Sequence, residues 1–120
     1  MSWKDAAKAQ FKERRSPENL KEIPVPEWGI SVYYWAEMTL SERRDIFLYA
    51  KQDGDRTILD LEAMAMTLIV RARDASGAKL FSKAERMELM NQYDPEVLVR
   101  IVSEMNGGTS TESIEAAEGN

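Results

Sequence analysis

The segment from residue 57 to residue 74 constrains the fold of this chain more than any other. Apolar residues lie on nearly every side of a helix drawn through it, and a helix of that kind is buried in a globular protein. The segment therefore predicts a central helix that begins near Thr57 and stops before Gly77. Arg71 and Arg73 fall in its last turn, where positive charges complement the helix dipole.

Two further helices begin at capping boxes, in which a Ser or Thr and a Glu three residues later bond each other's backbone amides. Thr39 and Glu42 form the first box, and the helix that follows is predicted to end near Lys51. Ser82 and Glu85 form the second box. The change from an alternating pattern to a helical period at Thr39 marks the start of the helical part of the chain.

A fourth helix begins at residues 94–95, where Asp supplies an N-cap and Pro occupies the first helical position. Its apolar residues recur at helical spacing, which predicts one buried face, and Gly107 ends it. The residues of this stripe are Val97, Leu98, Ile101, Val102 and Met105.

Residues 20–36 have the composition of a β-hairpin rather than a helix. Residues 20–25 alternate between apolar and charged side chains, and residues 30–36 are β-branched and aromatic, with a Pro- and Gly-containing turn between them. Pro24 and Pro26 confine the first strand to a sheet edge. The predicted fold class is therefore α+β and mostly helical, with an N-terminal antiparallel hairpin packed on about four helices.

The chain divides into three parts by composition. Residues 1–18 form a flexible N-terminal helix or arm, residues 19–107 a single globular domain, and residues 108–120 a disordered acidic tail with few apolar groups. An alternative for the arm stays open, in which it folds back over the hairpin through Trp3 and Phe11.

The chemistry available to this chain is narrow because its 120 residues include no His and no Cys. Those absences exclude thiolate nucleophiles, disulfides, zinc fingers and His-based acid–base catalysis. Asp53 and Asp55 lie in a Gly-containing stretch that lacks the ligand spacing of a calcium-binding loop. We therefore predict no catalytic residues, no metal site and no cofactor, and a protein that is not an enzyme.

The charge distribution argues against nucleic acid and membrane partners. The net charge is −5, and the basic residues Lys12, Arg14 and Arg15 are interleaved with Glu13. Binding to a phosphate backbone needs denser positive charge than that. The sequence also lacks a run of about 18 apolar residues and a signal peptide, which predicts a cytoplasmic protein that does not enter the membrane.

Methionine and aromatic residues are the candidates for binding a protein partner. The chain has seven Met, whose flexible side chains adapt to varied apolar surfaces, although some of them, such as Met64, fill gaps in a core. The hairpin carries large apolar groups on both faces, so one face is available for a partner or for a second copy. The predicted partner-binding residues are Trp28, Tyr34, Trp35, Met87, Met90 and Met105.

Several short motifs occur in the order found in one family of viral proteins. They are V-P-E-W-G at residues 25–29, V-Y at residues 32–33, E-M-T-L-S-E-R at residues 37–43, and a D-x-x-G-x-x-L-F link over residues 74–81. Over about residues 20–108 the chain resembles the tail assembly chaperones of long-tailed bacteriophages and prophages. It departs from their pattern at Trp35 and Ala36.

The resemblance implies a role without catalysis. Proteins of that family bind the long helical tape-measure protein in the host cell cytoplasm, help to recruit tail-tube subunits, and are absent from the mature virion. Self-association of the chain is left open. From the residues alone, two other classes also stay open, namely a small helical adaptor or regulatory protein with one defined protein partner, and a small enzyme that uses Asp, Glu, Lys or Tyr.

Overall fold

A computed structural model of the chain describes residues 2–49, 51–53, 56–58 and 61–107. Helices dominate these residues, and a two-stranded antiparallel hairpin lies near the N-terminus, which confirms the predicted mostly helical α+β class. The proposed acidic tail, residues 108–120, lies outside the described residues. The elements are α1 (Trp3–Arg14), β1 (Lys21–Val25), β2 (Ile30–Tyr34), α2 (Leu40–Phe47), β3 (Lys51–Asp53), β4 (Arg56–Ile58), α3 (Leu61–Arg71), α4 (Arg86–Asn91) and α5 (Pro95–Met105).

Helix α3 is the centre of the domain, as its apolar composition predicts. It contacts α2, α4 and α5. Leu68 and Ile69 are among the most deeply buried side chains of the described chain. Every residue from Ala65 to Arg71 is buried, so the helix has no solvent-facing side over its last two turns. Burial on all sides accounts for the lack of a polar stripe in its sequence.

The start of the central helix was predicted wrongly. Residues Arg56–Ile58 form strand β4, which pairs antiparallel with β3, and α3 begins only at Leu61. Helix α2 was also predicted to extend too far: Lys51 belongs to strand β3, and the helix ends at Phe47. A Gly-Asp pair separates the two strands in sequence and β-branched residues follow it, a pattern that also favours a hairpin. The prediction was wrong because it counted the apolar residues of β4 as part of the apolar face of α3.

The first hairpin has the predicted pairing. Ile23 lies opposite Val32 and Pro24 opposite Ser31 in an antiparallel register. Pro24 therefore lies on an edge strand, where its missing N–H costs no ladder hydrogen bond. The turn between the strands contains one 3₁₀ turn and closes at Gly29, whose φ of 68° is left-handed.

A third extended segment continues this sheet beyond β2. The Tyr33 amide donates to the Arg73 carbonyl over 2.8 Å, and the Arg73 amide donates to the Tyr33 carbonyl over 2.7 Å. The chain then turns back, because Asp74 accepts hydrogen bonds from the amides of Ser76 and Ala78. Gly77 completes this turn with a φ of 93°. The turn returns the chain alongside the end of α3, where the Leu80 amide donates to the Ala72 carbonyl over 3.1 Å.

The remaining helices follow their boundary signals, except that the Ser82 and Glu85 capping box opens a 3₁₀ turn over Lys83–Glu85 and α4 begins only at Arg86. The Thr39 and Glu42 capping box begins α2. The Asp94 side chain accepts a hydrogen bond from the amide of Glu96 at the start of α5, and the five predicted stripe residues of α5 are all buried. Among the helices in the described ranges, none has both the length and the apolar character needed to cross a bilayer.

Replacement of Gly77 by Ala is expected to destabilise the domain by about 2–4 kcal/mol, because a left-handed φ and a steric clash add together. A Cβ on Gly77 would lie 2.9 Å from Cη2 of Trp35. Gly29→Ala is the matched control, since it has a left-handed φ of 68° and no atom within 4 Å of its Cβ position. That variant is expected to lose about 1 kcal/mol. Urea denaturation measures both, and equal losses would contradict the predicted clash.

Candidate protein-binding groove

Tyr34 and Trp35, two of the predicted partner-binding residues, lie in the interior of the protein. Tyr34 is buried at the end of β2, and its hydroxyl donates to the backbone carbonyl of Glu104 over 3.2 Å. The Arg71 guanidinium lies 5.3 Å from the centroid of the Tyr34 ring. This residue therefore joins the hairpin to α3 and α5 and offers no contact surface.

Trp35 is the centre of a cluster of charged residues, which we call the Trp35 cluster and which comprises Trp35, Arg15, Glu42, Arg71 and Arg73. The guanidinium carbon of Arg15 lies 4.9 Å, and that of Arg73 5.2 Å, from the centroid of the indole ring. Arg71 donates to the Trp35 carbonyl over 2.8 Å. Arginine over an indole face gains both cation–π attraction and contact area. Arg71 is the last residue of α3, but Arg73 lies beyond the helix in the extended segment paired with Tyr33, so the prediction that both fall in the last helical turn is wrong for Arg73.

Glu42 is the one acidic member of the Trp35 cluster. It accepts a hydrogen bond of 2.7 Å from Arg15, one of 3.4 Å from Arg73, and one of 2.8 Å from the amide of Thr39. Burial would raise the pKa of its carboxyl group, but the Thr39 amide and the two arginines outweigh that effect and hold the pKa below the ordinary value of 4.5. The carboxylate therefore stays charged at neutral pH.

The same cluster attaches the N-terminal arm to the domain. The Trp35 indole N–H donates to the Ser16 carbonyl over 2.8 Å. Arg14 pairs with Glu37 over 3.1 Å. The arm does fold back to the hairpin, but through Arg15 and Ser16; Trp3 is exposed and Phe11 is only partly buried. Trp35 is therefore covered by the protein's own chain.

Trp28 and Met105 also belong to the packed part of the domain. Met105 is buried on the inner face of α5. Trp28 is half-buried and meets Phe81 and Tyr93 edge to face, with ring centroids 6.4 and 5.6 Å apart. Its neighbour Glu27 forms a bidentate ion pair with Arg100 on α5 and, through those hydrogen bonds, has its pKa lowered to about 2. These contacts fix the hairpin turn against α5.

Met87 and Met90 are the two predicted residues that lie on the surface. Met87 is 61% exposed on the outer face of α4. Met90 is 36% exposed and borders an apolar groove of about 100 Å³ between the first turns of α3 and α5 and the end of α4. The groove is lined by Leu61, Met64, Ala65, Leu89, Met90, Tyr93, Pro95, Leu98 and Val99.

The groove is apolar and open to solvent. Leu61, at one end, is 65% exposed although it is a large aliphatic residue. The basic side chains of α4 and α5 are both paired outside the lining, Arg86 with Glu62 and Arg100 with Glu27.

A larger cleft of about 720 Å³ lies between α1 and the hairpin. Its lining is mainly polar, and Arg14 and Glu37 form an ion pair within it. Within the described parts of the chain, no group of three or more Asp or Glu residues is arranged to hold a metal ion. Of the two clefts, the one between α3, α4 and α5 has the apolar lining that a protein partner requires, and of the six predicted residues it includes Met90 alone.

Comparison of the chain with protein-family models, with curated proteins and with solved structures finds no match.

Glu42→Gln is expected to destabilise the domain by about 1–3 kcal/mol at pH 7, because two arginines lose their shared carboxylate. Gln retains the capping box, so the variant isolates the charge. The pKa of Glu42 is lowered by folding from 4.5. Its contribution is therefore present above that pH and is lost as the pH falls through the lower folded value.

Urea denaturation of both proteins between pH 7 and pH 3 measures this difference. The free energies of unfolding should converge as the pH falls below 4.5, the ordinary pKa of Glu42. A difference that is independent of pH would show that the Glu42 charge does not stabilise the Trp35 cluster.

Proposed function

We propose that this protein is a phage tail assembly chaperone that binds apolar helical segments of the tape-measure protein. The observation that carries the proposal is the apolar groove between α3, α4 and α5, in which Leu61, Met64 and Met90 come together. The motif resemblance over residues 20–108 supports the same function, because the tail assembly chaperones that the chain resembles bind a long helical protein.

The shape of the groove suits a side chain presented by a helix. A volume of about 100 Å³ is somewhat less than that of a cavity that holds benzene, so it accepts one branched aliphatic side chain. An amphipathic helix that docks in a groove inserts anchors at i, i+3 or i+4 and covers the rim with its remaining apolar residues. The exposed Leu61 and Met90 supply that rim, and Met side chains repack around different anchors.

The charge of the molecule fits a role as a solubilising partner. The net charge of −5 would keep a complex with an aggregation-prone helix in solution. We assign the host cell cytoplasm as the place of action, tail-tube subunits as a second protein partner, and absence from the mature virion, all on the resemblance alone. No step of this proposed function requires catalysis, a cofactor, nucleic acid or a membrane.

Co-expression with a tape-measure protein from the same genome tests the function. The wild-type protein should raise the soluble yield of the tape-measure protein and co-purify with it. Met90→Glu places a charge at the edge of the groove and should lower co-purification at least about tenfold, a loss of about 1.4 kcal/mol. Equal aggregation with and without the wild-type protein would contradict the function and favour an adaptor with another partner.

Leu40→Glu is the matched control, because Leu40 is an exposed apolar residue on α2, which contributes no residue to the groove. It introduces the same charge and should leave co-purification within about twofold of wild type. Both variants should retain the wild-type melting temperature, since surface substitutions change stability by less than about 0.5 kcal/mol. A similar loss in Leu40→Glu would show that added charge, rather than the groove, weakens binding.

A further inference from the structure

Helix α1 carries large apolar side chains that the described part of the domain does not bury. No residue of the helix is buried, and Trp3 is 76% exposed. Trp3, Ala7 and Phe11 are four residues apart, so they share one face of the helix. Trp is among the residues that most often anchor a protein contact. This face of α1 is therefore open to an occupant.

A row of lysines accompanies this face. Lys4, Lys8 and Lys12 each follow a residue of the apolar face by one position, which places them about 100° further around the helix. All three side chains are exposed and, within the described ranges, none of them forms a salt bridge. An occupant that complements both features is acidic and carries apolar side chains.

The acidic tail, residues 108–120, has that composition. It lies outside the described residues, but its sequence holds Glu112, Glu115 and Glu118 and no basic residue. The three glutamates are three residues apart, and Ile114 and two alanines lie between them. The tail therefore offers a regular series of carboxylates together with some apolar surface, which matches the lysine row and the apolar face of α1.

The described chain ends beside the attachment point of α1. The Met105 carbonyl at the end of α5 accepts a hydrogen bond from Arg71 over 3.2 Å, and Arg71 also donates to the Trp35 carbonyl over 2.8 Å. The Trp35 indole N–H in turn donates to the Ser16 carbonyl over 2.8 Å. These hydrogen bonds join the end of α5 to the segment that directly follows α1. The tail begins three residues beyond Met105 and so leaves the domain close to the C-terminal end of α1.

The tail is long enough to follow α1 from end to end. The twelve residues of α1 extend over about 18 Å. The tail reaches about 40 Å when extended and about 20 Å as a helix. It leads away from the attachment point, whereas α1 runs toward it, so the two segments would lie antiparallel. Because both belong to one chain, the effective concentration of the tail at α1 is on the order of millimolar, and weak contacts suffice.

We propose that the acidic tail docks along the exposed face of α1 in the same chain. Its glutamates lie toward the lysine row, and its apolar residues cover Trp3 and Phe11. The composition of the tail predicts disorder for the tail alone, and α1 supplies the surface that it lacks. This contact does not depend on the proposed function, since α1 contributes no residue to the groove.

Carbodiimide cross-linking of the full chain tests the contact, because the reagent joins a carboxylate to a lysine amine only where the two touch. Mass spectrometry of the monomer should find the tail glutamates joined mainly to Lys8 and Lys12. The yield should be independent of protein concentration, as expected for a contact within one chain. It should fall at least about threefold between about 0.05 and 0.5 M salt, since exposed charges are screened.

Charge reversal at the centre of the lysine row gives the sharper comparison. Lys8→Glu should lower the yield of cross-links from the tail to Lys4 and Lys12 at least about threefold, the effect of one or two exposed ion pairs. Addition of Glu115→Lys to that variant should restore the yield. Lys79→Glu is the matched control, because Lys79 is an exposed lysine outside α1 and forms no salt bridge within the described chain. It should leave the yield unchanged.

Fluorescence quenching by acrylamide tests whether the tail covers Trp3. Replacement of all three tail glutamates by Gln should make the fluorescence of the protein easier to quench, because Trp3 becomes more accessible. The same replacements should have no effect on quenching in a Trp3→Ala background, where only Trp28 and Trp35 remain. An equal effect in both backgrounds would place the tail elsewhere and overturn the proposal.

Cross-links from the tail that spread evenly over the exposed lysines would also overturn it, as would a yield that Lys8→Glu leaves unchanged. A yield that rises with protein concentration would place the tail on α1 of a second copy and so contradict a contact within one chain. Failure here differs from failure of the chaperone function, because co-purification of the tape-measure protein depends on the groove and not on the lysines of α1.

Discussion

The Trp35 cluster is the interaction on which the rest of the structure depends. Its members come from the N-terminal arm, the residue after β2, the first turn of α2, the last residue of α3 and the extended segment that follows α3. The cluster has three arginines and one carboxylate, which pairs with Arg15 and Arg73 only. Attraction to the indole face and hydrogen bonds to backbone carbonyls must therefore offset the excess positive charge. Removal of the Glu42 carboxylate leaves Arg15 and Arg73, both mostly buried, without an acidic partner, which is more costly than the loss of a single exposed ion pair.

Local signals in the sequence were sufficient for most of the secondary structure. Capping at Thr39 and Asp94 depends on side chains that bond amides within three residues, so neither needs a tertiary partner. The first hairpin is also encoded locally, because its two strands are joined by a short turn and Pro24 marks the edge strand. The exception is the segment from 51 to 58, where a helical and a strand pattern compete over few residues and only the pairing of β3 with β4 decides between them.

The positions of the predicted contact residues could be derived only in part. Met105 shares the helical period of Ile101 and Val102, so the apolar stripe of α5 already indicates its burial. Met90 directly follows Leu89 on α4, and the step of 100° between them separates a buried side chain from one at the surface. Trp35 gives no such signal, because its cover consists of arginines distant in the sequence.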